Sequence, residues 1–227
     1  MDFTLKIYQS LLSALRRAGY TFRTFEEFLS VPADGKVVIL RHDIDKRPEN
    51  ALRLAQIEHA SGVKASYYIR VVKGTWNEEI IEQIVALGHE MSYHYEDLTI
   101  TKGNYEKAFE HFKVHLAEIR RFYPAKTVCM HGSPLSRWDN RKLWEKYNYR
   151  EAGIIGEPYF DVDYTDIFFG DDDMVIYNES ECQIFTTDGV EKYHGSFGKS
   201  ARLLLPAGGS YKYYLVTDST IDTIQLK

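Results

Sequence analysis

The sequence has few of the features that mark secreted, membrane or nucleic-acid-binding proteins. It contains only two cysteines in 227 residues, which argues against a disulfide framework and fits a reducing compartment. No apolar run approaches the roughly 20 residues of a membrane span, and residues 1–20 lack the pattern of a secretion signal. The net charge of −5 gives no reason to expect a nucleic-acid partner. We therefore expect a cytoplasmic protein with no membrane span.

The pattern of apolar residues predicts an α/β domain. The length of 227 residues and the hydrophobic fraction of 44% suit one domain, residues 1–227, with a full core. After a first amphipathic helix at 4–18, strands are predicted at 37–40, 64–70, 89–94 and 127–131. Helices are predicted between and after them at 48–61, 76–87, 104–122 and 141–147. This alternation is typical of a parallel sheet or barrel. Beyond about residue 164 the pattern changes to strands alone, at 175–177, 182–186, 201–205 and 212–216.

The stretch from Val37 to Pro48 organises the candidate chemistry. Four apolar residues, 37–40, predict a strand that is buried on both faces. Asp43 and Asp45 follow it two positions apart, so in extended backbone their side chains point the same way. Pro48 then opens a helix, as proline at a first turn does. Two carboxylates therefore stand at the carboxyl end of a strand, where α/β folds bind ligands and metals. The alternative is a solvated turn that caps the helix.

Two histidines end two further predicted strands. His94 and His131 would lie on the same edge as Asp43 and Asp45. Imidazole and carboxylate ligands suit zinc or another first-row divalent metal. A metal with an open position activates water and polarises a carbonyl, and a second carboxylate can take the proton. This combination would hydrolyse an amide or an ester. The alternative is that each histidine is a hydrogen-bonded structural residue.

The sequence resembles a known family in three motifs. They are Arg41-His42-Asp43-Ile44-Asp45 with the helix that begins at Pro48, Gly88-His89-Glu90-Met91-Ser92-Tyr93-His94, and Met130-His131-Gly132-Ser133-Pro134. Together they resemble the polysaccharide deacetylases, the NodB-homology carbohydrate esterases, and more closely a bacterial branch with His-Asp-x-Asp. The resemblance covers residues 37–164 and leaves 165–227 as an atypical ending. It implies a distorted (β/α)7-type barrel, complete or incomplete, with an irregular strand-rich carboxyl-terminal segment.

The resemblance also implies roles for single residues. Asp43 matches the catalytic base and Asp45 a metal ligand, although a one-residue difference in spacing leaves the exchanged roles open. His94 matches the first metal histidine. The second would fall at Leu98, so Glu96, Asp97 or His131 must replace it, and His131 is favoured because it closes a strand. The cofactor would be a divalent metal, and zinc is the favoured candidate.

Other family features have no match in the sequence. No arginine accompanies the motif at residues 131–134. The late acid histidine is missing too, because His194, the only later histidine, has a different context.

The implied reaction removes an N- or O-acyl group from a sugar. In the cytoplasm the substrate would be a sugar nucleotide or a lipid-linked precursor of a surface polysaccharide. Tyr95, Trp138 and Tyr159 could line a sugar cleft, with core packing as the alternative for each. Glu157 could reach the site from the next strand end. On the long helix, His111 and His115 lie four residues apart and could bind a metal, but a surface role is the favoured interpretation.

Two other functions stay open. A buried strand followed by Asp-x-Asp also begins phosphatases of the haloacid dehalogenase type, which use magnesium, and Asp171 to Asp173 could supply their late acids. Those enzymes have no use for His94 and His131. The third hypothesis is a catalytically inactive relative that binds carbohydrate or a protein partner, suggested by Leu98 and the missing late motif. The oligomeric state is not determined by the sequence.

Overall fold

The computed structural model describes residues 4–32, 35–132 and 136–162, and beyond them the backbone of the strands between 167 and 225. The chain divides into two compact units. The larger one comprises Gly19–Val162, and the smaller one comprises Met1–Ala18 with Asp163–Lys227. In the described part of the chain, no helix combines the length and apolarity that crossing a membrane requires.

The elements up to residue 162 follow the strand–helix alternation of the sequence. In chain order they are α1 (Leu5–Arg17), β1 (Thr21–Arg23), α2 (Phe25–Ser30), β2 (Val37–Ile39), β3 (Arg41–Ile44), α3 (Pro48–Ala60), β4 (Ser66–Ile69), α4 (Glu78–Ala86), β5 (Glu90–Tyr95), α5 (Asp97–Ile100), α6 (Tyr105–Arg120), β6 (Val128–Met130), 3-10 helices at Asn140–Glu145 and Tyr149–Ala152, and α7 (Pro158–Asp161). The helix ends carry the expected signals, such as the Asn77 and Asn104 side chains that cap α4 and α6.

The prediction of a (β/α)7-type barrel is wrong. The larger unit contains a four-stranded parallel sheet, ordered β3-β4-β5-β6, and a separate parallel pair of β1 and β2. The strand predicted at 37–40 as buried on both faces is only half-buried: Val37–Ile39 pairs with β1. A separate strand, Arg41–Ile44, follows Leu40 and pairs with β4. After β6 the chain continues in 3-10 helices, and one isolated bridge joins Thr127 to Gly156.

The two faces of the four-stranded sheet differ in chemistry. One face carries large aromatic and apolar side chains that pack with the buried residues of α3, α4 and α6 to form the core. These strand residues are Tyr67, Ile69, Met91, Tyr93 and Tyr95. Because side chains alternate along a strand, their neighbours Ser66, Tyr68, Glu90, Ser92 and His94 share the other face. That face is buried but polar, and its carboxyl end holds the candidate site.

The smaller unit contains α1 and two antiparallel sheets. The strands are β7 (Ile167–Phe169), β8 (Asp173–Tyr177), β9 (Cys182–Thr186), β10 (Glu191–Gly195), β11 (Leu203–Pro206), β12 (Lys212–Val216) and β13 (Ile221–Gln225). One sheet has the order β10-β9-β8-β7 and the other β11-β12-β13. The predicted strand-rich ending is therefore two regular antiparallel sheets built from hairpins rather than an irregular segment. The acids Asp171 and Asp172 lie outside the described residues.

Candidate metal centre

Three side chains meet at the carboxyl edge of the parallel sheet, and we call them the metal centre: Asp45, His94 and His131. The Asp45 carboxylate oxygen Oδ1 lies 3.4 Å from His94 Nε2 and 3.0 Å from His131 Nδ1. The two imidazole nitrogens are 3.1 Å apart. These three residues were predicted as metal ligands from the sequence, and the fold brings them together because neighbouring parallel strands end at one edge.

The ring orientation of His94 is held by the backbone of the next strand. Its Nδ1 lies 3.0 Å from the carbonyl oxygen of Cys129, which is opposite it in the β5–β6 register. A carbonyl can only accept, so Nδ1 carries the proton and Nε2 is the nitrogen that faces Asp45 and His131. A ligating histidine is commonly oriented in this way through its second nitrogen. Only 2% of the residue's surface is exposed, so the ring has little freedom to turn.

His131 is held from both of its backbone groups. Its N–H donates to the carbonyl of Tyr95 at 2.8 Å, and its own carbonyl accepts from the Asn140 side chain at 3.0 Å. Partial burial, together with the nearby His94 and Arg70, lowers the pKa of His131, which favours the neutral imidazole that binds metals. The neighbouring imidazoles of His94 and His131 lower the pKa of Asp45, which keeps this half-exposed carboxyl ionised.

The donor atoms fit a first-row divalent cation. One ligand atom from each of the three residues lies within 4.8 Å of the others, and the set consists of two nitrogens and one carboxylate oxygen. Zinc commonly takes three such ligands and leaves a fourth position for water or substrate. Asp45 is 51% exposed, so the open side faces solvent. Zinc itself stays a prediction.

Asp43, the predicted base, lies next to the metal centre. Its Oδ2 is 4.0 Å from His94 Nε2 and 3.4 Å from the Arg41 guanidinium. The guanidinium also contacts the Cys129 sulfur at 2.6 Å, which ties the β3 end of the site to β6. Burial raises the pKa of the Cys129 thiol, so this residue is a neutral neighbour and not a nucleophile. Asp43, His94 and Cys129 are also close enough to form a second set of ligand atoms.

Several residues around the metal centre were missed by the sequence interpretation. Arg70 donates to the Glu96 oxygen Oε1 from two nitrogens, Nε at 2.7 Å and Nη2 at 2.5 Å. The second Glu96 oxygen, Oε2, lies 4.0 Å from His131 Nε2. Alternation along strands could have indicated Arg41 and Cys129, because they precede Asp43 and His131 by two residues and share their face. Arg70 follows β4 directly, at the same edge.

The three aromatic residues that were predicted to line a sugar cleft lie in different environments. Tyr95 is fully buried on the opposite face from His94, and its hydroxyl accepts from Trp144, so it is a core residue. Trp138 packs against the core and over Gly103. Tyr159 is 45% exposed, which leaves it available to a ligand. The Arg141 guanidinium lies over its ring.

Glu157 is fully buried and holds the backbone beside the site. Its carboxylate accepts from the N–H groups of Met130 at 3.0 Å and Tyr159 at 2.6 Å. Burial raises its pKa to about 7. The residue at the expected position of the second family histidine, Leu98, is buried in the core.

Two other motif histidines have structural partners. His42 Nε2 lies 2.6 Å from Glu58, a fully buried carboxylate that also accepts from the Tyr67 hydroxyl. His89 accepts from the Ala65 N–H at 3.1 Å and lies 2.9 Å from the carbonyl of Ala55. Both rings therefore join α3 to the sheet.

The chain belongs to a family of unknown function, DUF5711, whose model matches residues 70–226. The matched segment includes His94 and His131 and begins after Asp43 and Asp45. No curated protein and no solved structure matches the chain significantly. The deacetylase resemblance therefore stays a hypothesis that rests on the motifs.

Proposed function

We propose that the chain is a metal-dependent hydrolase that removes an N- or O-acyl group from a sugar or a sugar-containing precursor of a surface polysaccharide. The observation that carries the proposal is the convergence of Asp45, His94 and His131, with His94 locked by the Cys129 carbonyl. The substrate, a sugar nucleotide or a lipid-linked sugar, and the cytoplasmic location belong to the same proposal. The open, half-exposed side of Asp45 gives the substrate access.

A bound divalent cation would supply a Lewis acid that polarises the acyl carbonyl and lowers the pKa of water. Asp43 is the base, because its carboxylate lies beside the metal centre without being in direct contact with His94. Arg41, 3.4 Å away, orients that carboxylate. Proton removal by a positioned base typically contributes about 10²–10⁴-fold to the rate.

The other two hypotheses differ in the metal and in the role of Asp43. A haloacid-dehalogenase-type phosphatase would use Asp43 and Asp45 with magnesium, and magnesium prefers oxygen ligands. The two imidazoles at the metal centre favour zinc-like metals instead. A catalytically inactive relative would bind carbohydrate or a protein partner and show no turnover.

The first test is the metal content of the purified protein. We expect His94→Ala to lose one equivalent of a zinc-like metal relative to wild type. His59→Ala is the matched control, because His59 is an exposed histidine on α3 whose ring contacts only the Leu87 carbonyl among described hydrogen bonds. Equal metal content in the wild type and His94→Ala would contradict the metal centre. Magnesium in place of zinc would favour the phosphatase.

The second test measures acetate release from acetylated amino sugars and acetylated sugar nucleotides. Asp43→Asn keeps the shape of the residue and should keep the metal, while kcat falls about 10²–10⁴-fold. A chelator should abolish activity, and added zinc should restore it. Full activity in Asp43→Asn would remove Asp43 as the base. A metal-loaded protein that releases no acetate from any of these substrates would favour the inactive relative.

A further inference from the structure

We propose that the chain has a second site for a first-row divalent cation, formed by Asp97, His111 and His115. We call these three residues the helix site. One ligand atom of each residue lies within 4.8 Å of the others. None of the three belongs to the metal centre, and the proposal does not depend on the proposed hydrolase activity.

The fold assembles the helix site from two helices. His111 and His115 are one turn apart on α6, and their rings lie with centroids 4.0 Å apart. Side chains four residues apart share one face of a helix, and such histidine pairs are a common way to bind zinc. Asp97 comes from the first turn of α5, which packs on α6. The sequence shows the histidine pair, but only the packing of α5 supplies the carboxylate.

The Asp97 carboxylate is the observation that points to a ligand. The residue is fully buried. Its Oδ1 lies 2.5 Å from His111 Nδ1 and accepts from the Tyr93 hydroxyl at 3.1 Å. Its Oδ2 is also buried, and it has no hydrogen-bond partner within the described ranges. A buried carboxylate oxygen without a donor is costly, because it has lost its water and gained nothing in exchange. A cation would satisfy this oxygen.

An ion pair between Asp97 and His111 explains only part of this arrangement. It accounts for Oδ1 but leaves Oδ2 without a partner. His115 takes no part in that ion pair, and its Nδ1 lies 2.9 Å from the Tyr93 hydroxyl that donates to Asp97. A cation held by Asp97, His111 and His115 uses all three groups. The side chain of His111 is 31% exposed, so a cation could enter from solvent.

The ligand chemistry narrows the choice of cation. Two imidazoles and one carboxylate suit zinc, cobalt, nickel or copper, whereas magnesium and calcium prefer sites made entirely of oxygen. Three protein ligands would leave a position open to water. The site is therefore expected to bind Co²⁺, whose visible absorption reports binding directly.

The test is a Co²⁺ titration followed by visible absorption, in a His94→Ala/His131→Ala background that removes the metal centre. We expect this background variant to bind one equivalent of Co²⁺, at the helix site. The equivalent should be lost when His111→Gln or His115→Gln is added, and retained when His59→Gln is added as the control. Binding that survives both glutamine substitutions would overturn the proposal, as would no binding in the background variant when its far-ultraviolet circular dichroism is that of wild type.

If the background variant is misfolded, the same substitutions are made in the wild type. The expected result is then a loss of one Co²⁺ equivalent in His111→Gln and in His115→Gln, with His59→Gln unchanged. Stoichiometry that is equal in all four proteins would refute the helix site. Neither readout uses turnover, so failure of the hydrolase proposal would leave this result unaffected.

Discussion

Replacing Ser66 by alanine should destabilise the larger unit strongly, although it removes a single oxygen atom. Ser66 is fully buried on the polar face of the sheet. Its hydroxyl accepts from the Phe25 N–H at 2.7 Å and donates to Glu90 at 2.6 Å. Phe25 is the first residue of α2, where the N–H has no partner within the helix. The hydroxyl therefore joins α2 to β4 and β5.

The size of the effect follows from the groups that Ser66→Ala leaves behind. The Phe25 N–H loses its acceptor, and Glu90 keeps the Glu26 N–H and the Thr127 hydroxyl but loses one donor. Each of the two unsatisfied or weakened buried groups costs about 1–3 kcal/mol, so the free energy of unfolding should fall by about 2–6 kcal/mol. This is a large share of the roughly 5–15 kcal/mol that stabilises a domain.

Urea unfolding followed by tryptophan fluorescence measures this loss of stability in the larger unit. The three tryptophans, at 76, 138 and 144, all lie in the larger unit. With a urea dependence of about 2 kcal/mol per molar, the midpoint should fall by about 1–3 M. Ser61→Ala is the control, because the Ile57 carbonyl that its hydroxyl contacts also accepts from a backbone N–H. A midpoint for Ser66→Ala as high as that of Ser61→Ala would refute the reasoning.

Three further predictions concern single residues of the larger unit. Burial raises the pKa of Glu157 from 4.5 to about 7, so the folded chain holds the proton more tightly and loses about 3 kcal/mol of stability as pH rises through this window. Glu157→Gln should flatten this pH dependence of the free energy of unfolding, measured by urea unfolding at several pH values. A pH dependence equal to that of the wild type would contradict the assignment. Gly103→Ala should lower the thermal midpoint, because φ is +82° and the added Cβ would overlap the Trp138 ring; an unchanged midpoint would count against this packing. In a Cys182→Ser background, Cys129 should resist a thiol reagent until urea is added, since its thiol is buried and its pKa is raised.

The residues of the metal centre could be predicted because the signal is local. Apolar runs mark the strands, and a polar residue directly after such a run stands at the carboxyl end. His131 ends such a run, Asp45 stands five positions after the run at 37–40, and His94 ends a strand in which apolar and polar residues alternate. The three side chains meet in the structure. Tyr95 and Leu98 lie in the same segment as His94, but their side chains belong to the core on the opposite side of the sheet.

The sequence could not show that the barrel is absent, because the number of strands in a sheet depends on pairing between distant segments. Val37 to Ile39 has the composition of a buried strand whether it continues into Arg41–Ile44 or pairs elsewhere. In the structure Val37–Ile39 pairs with β1 and Arg41–Ile44 pairs with β4, so the break at Leu40 separates pairings with two different strands. The number of strands in a sheet is set by such long-range pairing, which periodicity does not record.

By itself, the sequence determined the alternation of helices and strands from α3 to β6, apart from the short α5, and the edge at which the polar side chains collect, since both follow from the local alternation of apolar and polar residues. Tertiary structure alone decided that the parallel sheet has four strands and that Asp97 reaches His111 and His115 across 14 or more residues of chain. It also decided that Arg70, through Glu96, stands beside the metal centre. These contacts join residues far apart in the chain, and their partners are chosen by packing and burial rather than by local preference.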